Sequence, residues 1–321
     1  MKAAVLHQFG QTPRCEDYPE PVPGEGEIIL PVKAAALENI DRALVRGDHY
    51  AAHQMIPSLP AVLGFDGIGA LEDGRLVGFG GVRPPYGAFA ERAAVKAQYT
   101  IPLPEGVDAP AAAAAPSSTM TALLGLQAAG GLQPGGTVLV NGATGFAGRL
   151  AVQVARLLGA GRVIGSGRDP SALAELPGLG AEGVVDLSRP DEAVVEAFSA
   201  AKGEGYDVIL DFLWGRPTEL LLRSLTPREL SLARKRARLV HAGEAAGPAI
   251  SLPGEALRTS GVEIGGAGNI PPEAIGEATA RMWAWLQSGA LRFEVEVVPL
   301  AEFERAWQRT NLHGKRLVIV P

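Results

Sequence analysis

Two patterns of apolar and polar positions divide the chain. Over residues 1–100 the apolar runs are short and broken by Gly, Pro and Asp. Residues 27–34, Ile68-Gly69-Ala70-Leu71 and Arg75-Leu76-Val77-Gly78-Phe79 read as strands of a meander, and residues 37–45 as a short helix. Near residue 109 the pattern changes. Residues 111–115 and 120–129 favour helix, and Pro134-Gly135-Gly136 marks a turn. Strand and helix then alternate. Thr137-Val138-Leu139-Val140 is continuously apolar, as a strand covered on both faces must be. Residues 149–158 place Leu150, Val154, Leu157 and Leu158 on one helical face, ending at Gly159. Residues 162–165, 183–186, 206–211 and 237–241 read as further strands, with Asp169-Pro170 as N-cap and first residue of a helix. This alternation predicts a doubly wound parallel sheet. After about residue 270 the order becomes helix (272–287), strand (294–298), helix (300–310) and final strand (315–320), a tail expected to return to the first domain.

Composition narrows the function. A chain of 321 residues suggests about two domains. A net charge of −6 argues against a nucleic-acid partner, which needs a basic face to neutralise phosphates. The single cysteine, Cys15, leaves no disulfide framework and no zinc site built from several cysteines. The N-terminus turns polar at His7, too early for a signal peptide. Residues 109–148 carry no charged side chain, but Pro116, Pro134 and many small residues break the stretch, unlike a spanning helix. A cytoplasmic protein with no membrane partner is expected.

The chemistry centres on a strand, a glycine-rich turn and a helix. Gly142-Ala143-Thr144-Gly145-Phe146-Ala147-Gly148 reads Gly-x-x-Gly-x-x-Gly. Set against G-x-G-x-x-G, Ala143 stands at the first glycine, Gly145 at the second and Gly148 at the third. The second lets backbone N–H groups approach a pyrophosphate, the third lets the helix pack closely on the strand, and the helix N-terminus favours the phosphate charge. A second strand ends about 20 residues on, as a dinucleotide site requires. An NAD site places Asp or Glu there to hold the ribose 2′-OH. This chain has Gly165-Ser166-Gly167-Arg168, with Gly167 at the acidic position. The missing carboxylate and the added Arg168 favour a 2′-phosphate, to which Ser166 offers a further hydrogen bond; NADP(H) is the expected cofactor. The alternative for Arg168 is a solvated residue at a helix start.

At this point the sequence resembles a medium-chain dehydrogenase/reductase of the zinc-free, quinone-oxidoreductase-like branch, over almost the whole chain. Ala34-Ala35-Ala36-Leu37-Glu38-Asn39-Ile40-Asp41 with Arg46-Gly47 is similar to the family's A-A-x-L-N-P-x-D and following R-x-G. Pro60 to Gly69 fits P-x-x-x-G-x-D-x-x-G, and Tyr86-Gly87-Ala88-Phe89-Ala90-Glu91 fits the G-x-F-A-E segment. Thr121-Ala122-Leu123 precedes the cofactor fold, and Gly314-Lys315 introduces the last strand, as in that family. The resemblance implies an α/β protein in which a Rossmann-like, NADP-binding domain (118–270) is inserted in a GroES-like β-rich catalytic domain (1–117 plus 271–321). It implies a homodimer formed through a strand around Val262-Glu263-Ile264.

Zinc relatives carry Cys, His and Cys where this chain has Glu38, Phe65 and Ser117, so no catalytic metal is expected. With no Lewis acid to polarise an alcohol, hydride transfer from NADPH to a quinone or an α,β-unsaturated carbonyl is the expected reaction. The alternatives are an alcohol dehydrogenase-like enzyme and a non-enzymatic NADPH-binding protein. Tyr50 is a candidate to hydrogen-bond the acceptor oxygen, or else a packing tyrosine. Glu38 is a candidate catalytic group, or else a partner for a nearby cation or backbone donor. Asn39, Thr121 and Asn269 are candidate cofactor contacts, the last where relatives bring the chain close to the nicotinamide. His49 and His53 read as exposed loop residues, the cluster Arg234, Lys235, Arg236 and Arg238 as a solvated helix end, and Trp283 and Trp285 as helix packing.

Overall fold

A computed structural model describes residues 1–321 except 228–234, 269 and 311. Its strands are β1 (Lys2–Leu6), β2 (Arg14–Asp17), β3 (Glu27–Leu37), β4 (Ala61–Val62), β5 (Asp66–Ala70), β6 (Leu76–Gly80), β7 (Arg92–Lys96), β8 (Thr100–Pro102), β9 (Thr137–Asn141), β10 (Arg162–Gly167), β11 (Gly183–Asp186), β12 (Val208–Asp211), β13 (Ala237–His241), β14 (Val262–Gly266), β15 (Val295–Pro299) and β16 (Arg316–Val320). The chain divides into two compact units, Met1–Pro116 with Glu294–Pro321, and Ser117–Phe293.

The first unit is mostly antiparallel. β3 is its spine: Glu27 to Pro31 pair with β7, Val32 and Ala34 with β5, and Ala35 to Leu37 with β16. One strand can serve three partners because it runs for eleven residues with a register shift between Val32 and Ala34. β15 joins in parallel with β16, and β6 and β8 extend the sheet beyond β5. A smaller sheet runs β2-β1-β4. Leu30, Leu44, Leu63, Phe89, Phe303 and Leu317 are fully buried in the core of this unit. The helix expected over 37–45 forms at Asn39–Arg46, and Gly47 ends it in the left-handed region at φ 82°.

The second unit is the doubly wound sheet, all parallel, in the order β11-β10-β9-β12-β13-β14. Val138, Leu139, Val140, Ile209 and Leu210 are inaccessible to solvent, which explains the unbroken apolar runs of the central strands. Asp169 caps the helix Pro170–Glu175, its carboxylate accepting from Ser171 and Ala172 N–H. The helix expected over 120–129 forms as Pro116–Leu124 followed by a wider turn, Gly125–Ala129.

One boundary differs from the sequence expectation. Helix Pro272–Gln287 lies with the second unit, and the tail joins the first only from Glu294. Side-chain bonds tie the segment there: Arg281 donates to Gln127 (3.1 Å), and Gln153 bonds both the C=O (2.9 Å) and the N–H (2.7 Å) of Arg292. Phe293 meets Phe146 edge to face at 5.7 Å. Among the described residues no helix is long and apolar enough to cross a membrane.

Candidate functional site

The order of the parallel sheet reverses between β9 and β12, and ligands of such sheets bind outside the carboxyl ends of the strands at that reversal. The turn Gly142–Gly148 leaves β9 at this point. Gly142 takes φ 96°, and a Cβ at Gly148 would lie 2.1 Å from the Gly142 carbonyl oxygen, so the close helix–turn contact admits only glycine there. Gly145 is different. It has an ordinary extended backbone (φ −79°, ψ 169°), and an added Cβ would meet nothing within 4 Å. No steric contact within the protein demands a glycine at this exposed position, whereas a closely approaching ligand would. Helix Phe146–Leu157 starts at Gly145 with no side-chain cap, leaving its N-terminal dipole to whatever anion lies before it.

The end of β10 completes this half of the site. Gly167 is buried and packs against Thr144, while Arg168 is exposed. The turn and Gly167 are thus brought together, with Arg168 next in the chain. Ser166 is a correction. The sequence expectation gives its hydroxyl to a 2′-phosphate, but Ser166 is fully buried: the hydroxyl donates to Asn141 Oδ1 (2.6 Å) and accepts from Gly142 N–H (3.1 Å). Side chains alternate along a strand, so Ser166 points into the protein beneath the turn.

That bond belongs to a network that motif reading missed. Asn141, Asp211 and Thr218 are all fully buried. The Asn141 amide donates to Asp211 Oδ1 (2.9 Å) and Thr218 Oγ1 (3.3 Å), and Thr218 donates to Asp211 Oδ2 (2.6 Å). Asp211 also accepts from Leu213 N–H (3.0 Å) and Trp214 N–H (3.2 Å). One buried carboxylate therefore holds the glycine turn, through Asn141 and Ser166, and the loop after β12. Trp214 in that loop has φ 54°, rare for a bulky residue, and its ring meets His241 edge-on at 4.7 Å. The signal in the sequence was a single polar residue closing each of two apolar runs, Asn141 after Val138-Leu139-Val140 and Asp211 after Val208-Ile209-Leu210. Elsewhere in this unit Thr121 spends its hydroxyl on Ser117 C=O (2.8 Å), and Asn269 lies outside the described residues. The basic cluster is structural: Arg236 and Arg238 pair with Glu263 on the neighbouring strand, and Lys235 with Asp207 (2.7 Å). Arg234 lies outside the described residues.

In the first unit, Glu38 precedes helix Asn39–Arg46, and its N–H donates to Asp41 Oδ2 (2.7 Å). Its carboxylate faces Arg316 Nη2 at 3.6 Å, which favours the ion-pair reading of Glu38. Asp41 is buried, and that burial holds its carboxyl well above the usual range, with the backbone N–H of Glu38 opposing and the charges of Glu38 and Asp66 adding. Asp66 opens to solvent, but packed protein around it costs it hydration and pushes its carboxyl up to about 7; Glu38 adds and Arg316 opposes. Asn39 is exposed, and Tyr50 is 95% exposed in the loop after Gly47, its ring 4.3 Å from that of His49. The packing alternative for Tyr50 is thereby disfavoured.

Comparison with known proteins sets this geometry in a family. A family model described as zinc-binding dehydrogenase matches residues 147–257. The quinone oxidoreductase of Thermus thermophilus, solved also in complex with NADPH, is 32% identical, with all of both chains covered and a TM-score of 0.78. An alcohol dehydrogenase of Moraxella sp. is 30% identical over 228 residues, 60% of this chain and 65% of that protein. The acryloyl-coenzyme A reductase of Sulfurisphaera tokodaii is 31% identical over 199 residues, 51% of this chain and 58% of that one. The matches to these two curated relatives thus span less than two thirds of their length. Full-length likeness above 30% identity, with the parallel sheet and its glycine turn, leads to one conclusion: this chain belongs to the medium-chain dehydrogenase/reductase family, on its quinone-oxidoreductase-like branch.

Proposed function

We propose that the protein is an NADP(H)-dependent oxidoreductase that reduces a quinone or an α,β-unsaturated carbonyl without a catalytic metal ion. The observation that carries the cofactor is Gly145: open space over its Cα, directly before a helix N-terminus with no side-chain cap, fits a pyrophosphate. Gly167 brings no carboxylate to repel a 2′-phosphate, and exposed Arg168 supplies a guanidinium to pair with it. The NADPH complex of the Thermus relative supports the same reading. Asn39, Thr121 and Asn269 are proposed as further cofactor contacts.

When bound, the reduced nicotinamide supplies a hydride. This chain's residues would hold the dinucleotide by its phosphates, and the exposed Tyr50 hydroxyl would hydrogen-bond the acceptor oxygen as charge develops there. Solvent would deliver the proton. The metal-free reading rests on the residues themselves. Phe65 has no ligating atom, Glu38 faces Arg316, and a tetrahedral zinc site needs three good protein ligands. Strand β14 presents Glu263 to Gly266 to solvent at the sheet edge and is the proposed homodimer surface, which sedimentation would test.

The activity test is a panel of quinones, enals and simple alcohols with NADPH or NADP⁺, followed by absorbance of the reduced nicotinamide. NADPH-dependent turnover of a quinone or enal that survives chelator treatment is expected. Chelator-sensitive oxidation of alcohols would contradict the metal-free reading. Tight NADPH binding with no turnover across the panel would favour a non-enzymatic binding protein.

A further inference from the structure

We propose that Thr144, a residue of the glycine turn, determines dinucleotide choice by keeping position 167 a glycine. This deepens the NADP(H) reading above and rests on it. The end of β10 is where a carboxylate would have to stand to accept the ribose 2′-OH of NADH. A Cβ at Gly167 would lie 2.2 Å from Thr144 Cγ2, 2.7 Å from Thr144 Oγ1 and 3.0 Å from Thr144 Cβ. These are not contacts that a side-chain rotation clears. Threonine carries two heavy atoms on Cβ, distributed over three staggered positions, so every rotamer leaves at least one of them in the two positions nearest Gly167. Gly167 is buried and pairs with Asp186 of β11, its carbonyl accepts from Leu187 N–H (2.7 Å), and its neighbour Ser166 pairs with Asn141 of β9, so the strand is held on both sides as it reaches this point. An aspartate at 167 therefore cannot be accommodated while position 144 is branched at Cβ.

Substitutions at 144 separate the steric lock from any hydrogen bond that the Thr144 hydroxyl makes to a phosphate. A serine at 144 keeps the hydroxyl but has one heavy atom, which can turn to the third position. A valine at 144 loses the hydroxyl but keeps both branches.

The experiment measures NADPH and NADH dissociation constants by nicotinamide fluorescence, and melting temperatures, for the full-length protein and its variants. Gly167→Ala should lower the melting temperature in the Thr144 background, Thr144→Ser should restore it, and Thr144→Val should not. Gly167→Asp combined with Thr144→Ser or Thr144→Ala should raise the preference for NADH over NADPH about tenfold or more relative to Gly167→Asp alone, because only then does the carboxylate reach its place. The proposal is overturned if Gly167→Asp alone gives the full change of preference, if the valine pair matches the serine pair, or if Thr144→Ser fails to restore Gly167→Ala. A wild-type protein that binds NADH as well as NADPH would instead overturn the NADP(H) reading, whatever the paired variants do.

Discussion

At Gly148 and Arg168 one side chain, or its lack, does one job. A methyl group at Gly148 would sit 2.1 Å from a backbone oxygen and 2.6 Å from Ala143 Cα, atoms that move only if the turn does. Gly148→Ala should cost about 3 kcal/mol or more in chemical denaturation and abolish NADPH binding together with stability. Arg168 is exposed, so its loss should spare the fold. Arg168→Ala should weaken NADPH binding about 10- to 100-fold, the worth of a charge-assisted pair to phosphate, and leave NADH binding nearly unchanged. Equal losses for the two cofactors would return Arg168 to the role of a solvated helix-start residue. The close packing at Gly148 was legible in the sequence because a dinucleotide turn dictates a glycine at that spacing, and the same spacing is what singles out Arg168 for test. The role of Ser166 was not legible, because spacing carries no exposure: its neighbour Gly167 holds the motif's acidic position, but the strand turns Ser166 the other way.

Secondary elements meet at Asp211, which ties the ends of β9, β10 and β12 to helix Gly215–Leu225 through Thr218. Asp211→Ala would leave the Thr218 hydroxyl and the N–H groups of Leu213 and Trp214 without the carboxylate they donate to, and the Asn141 amide with only its longer bond to Thr218. Several unmet buried donors should cost about 3–5 kcal/mol, measured by denaturant titration, and should slacken the glycine turn. A loss under about 1 kcal/mol would show that the network carries little. The strands themselves were legible, since Thr137-Val138-Leu139-Val140 and its partners are covered on both faces and read as continuous apolar runs. The network was not, because a lone Asn or Asp at a strand end looks like a turn residue until the neighbouring strand is known. The placement of helix Pro272–Gln287 was illegible for the same reason: Arg281 meets Gln127 across 154 positions of sequence.

For the whole molecule, stability and ligand binding are the readouts. Asp41 and Asp66 both hold protons more tightly in the folded protein than aspartate ordinarily does. Between the ordinary value of 3.8 and about 7 for Asp66, the folded state binds more protons than the unfolded chain, so rising pH favours unfolding. The share of stability due to Asp66 is full below this window and lost as pH passes through it. Asp66→Asn, which stays neutral, should flatten the fall of melting temperature across the window; an unchanged slope would contradict the assignment. Family membership was legible from motifs spread along the chain, whereas the opposition of Arg316 to Glu38 depends on β16 returning beside β3. The turn Gly142–Gly148 is the proposed seat of the dinucleotide phosphates. The most direct test is NADPH titration of Gly145→Ala beside its melting curve. The backbone at Gly145 suits alanine and no protein atom lies within 4 Å of the new methyl group, so the fold should stay within about 1 kcal/mol of the wild type, the helix N-cap preference for glycine offsetting the gain from a stiffer unfolded chain. NADPH affinity should fall about tenfold or more, because the methyl group takes the space of the phosphates. Unchanged NADPH affinity in a stable Gly145→Ala protein would show that the phosphates do not bind over this turn.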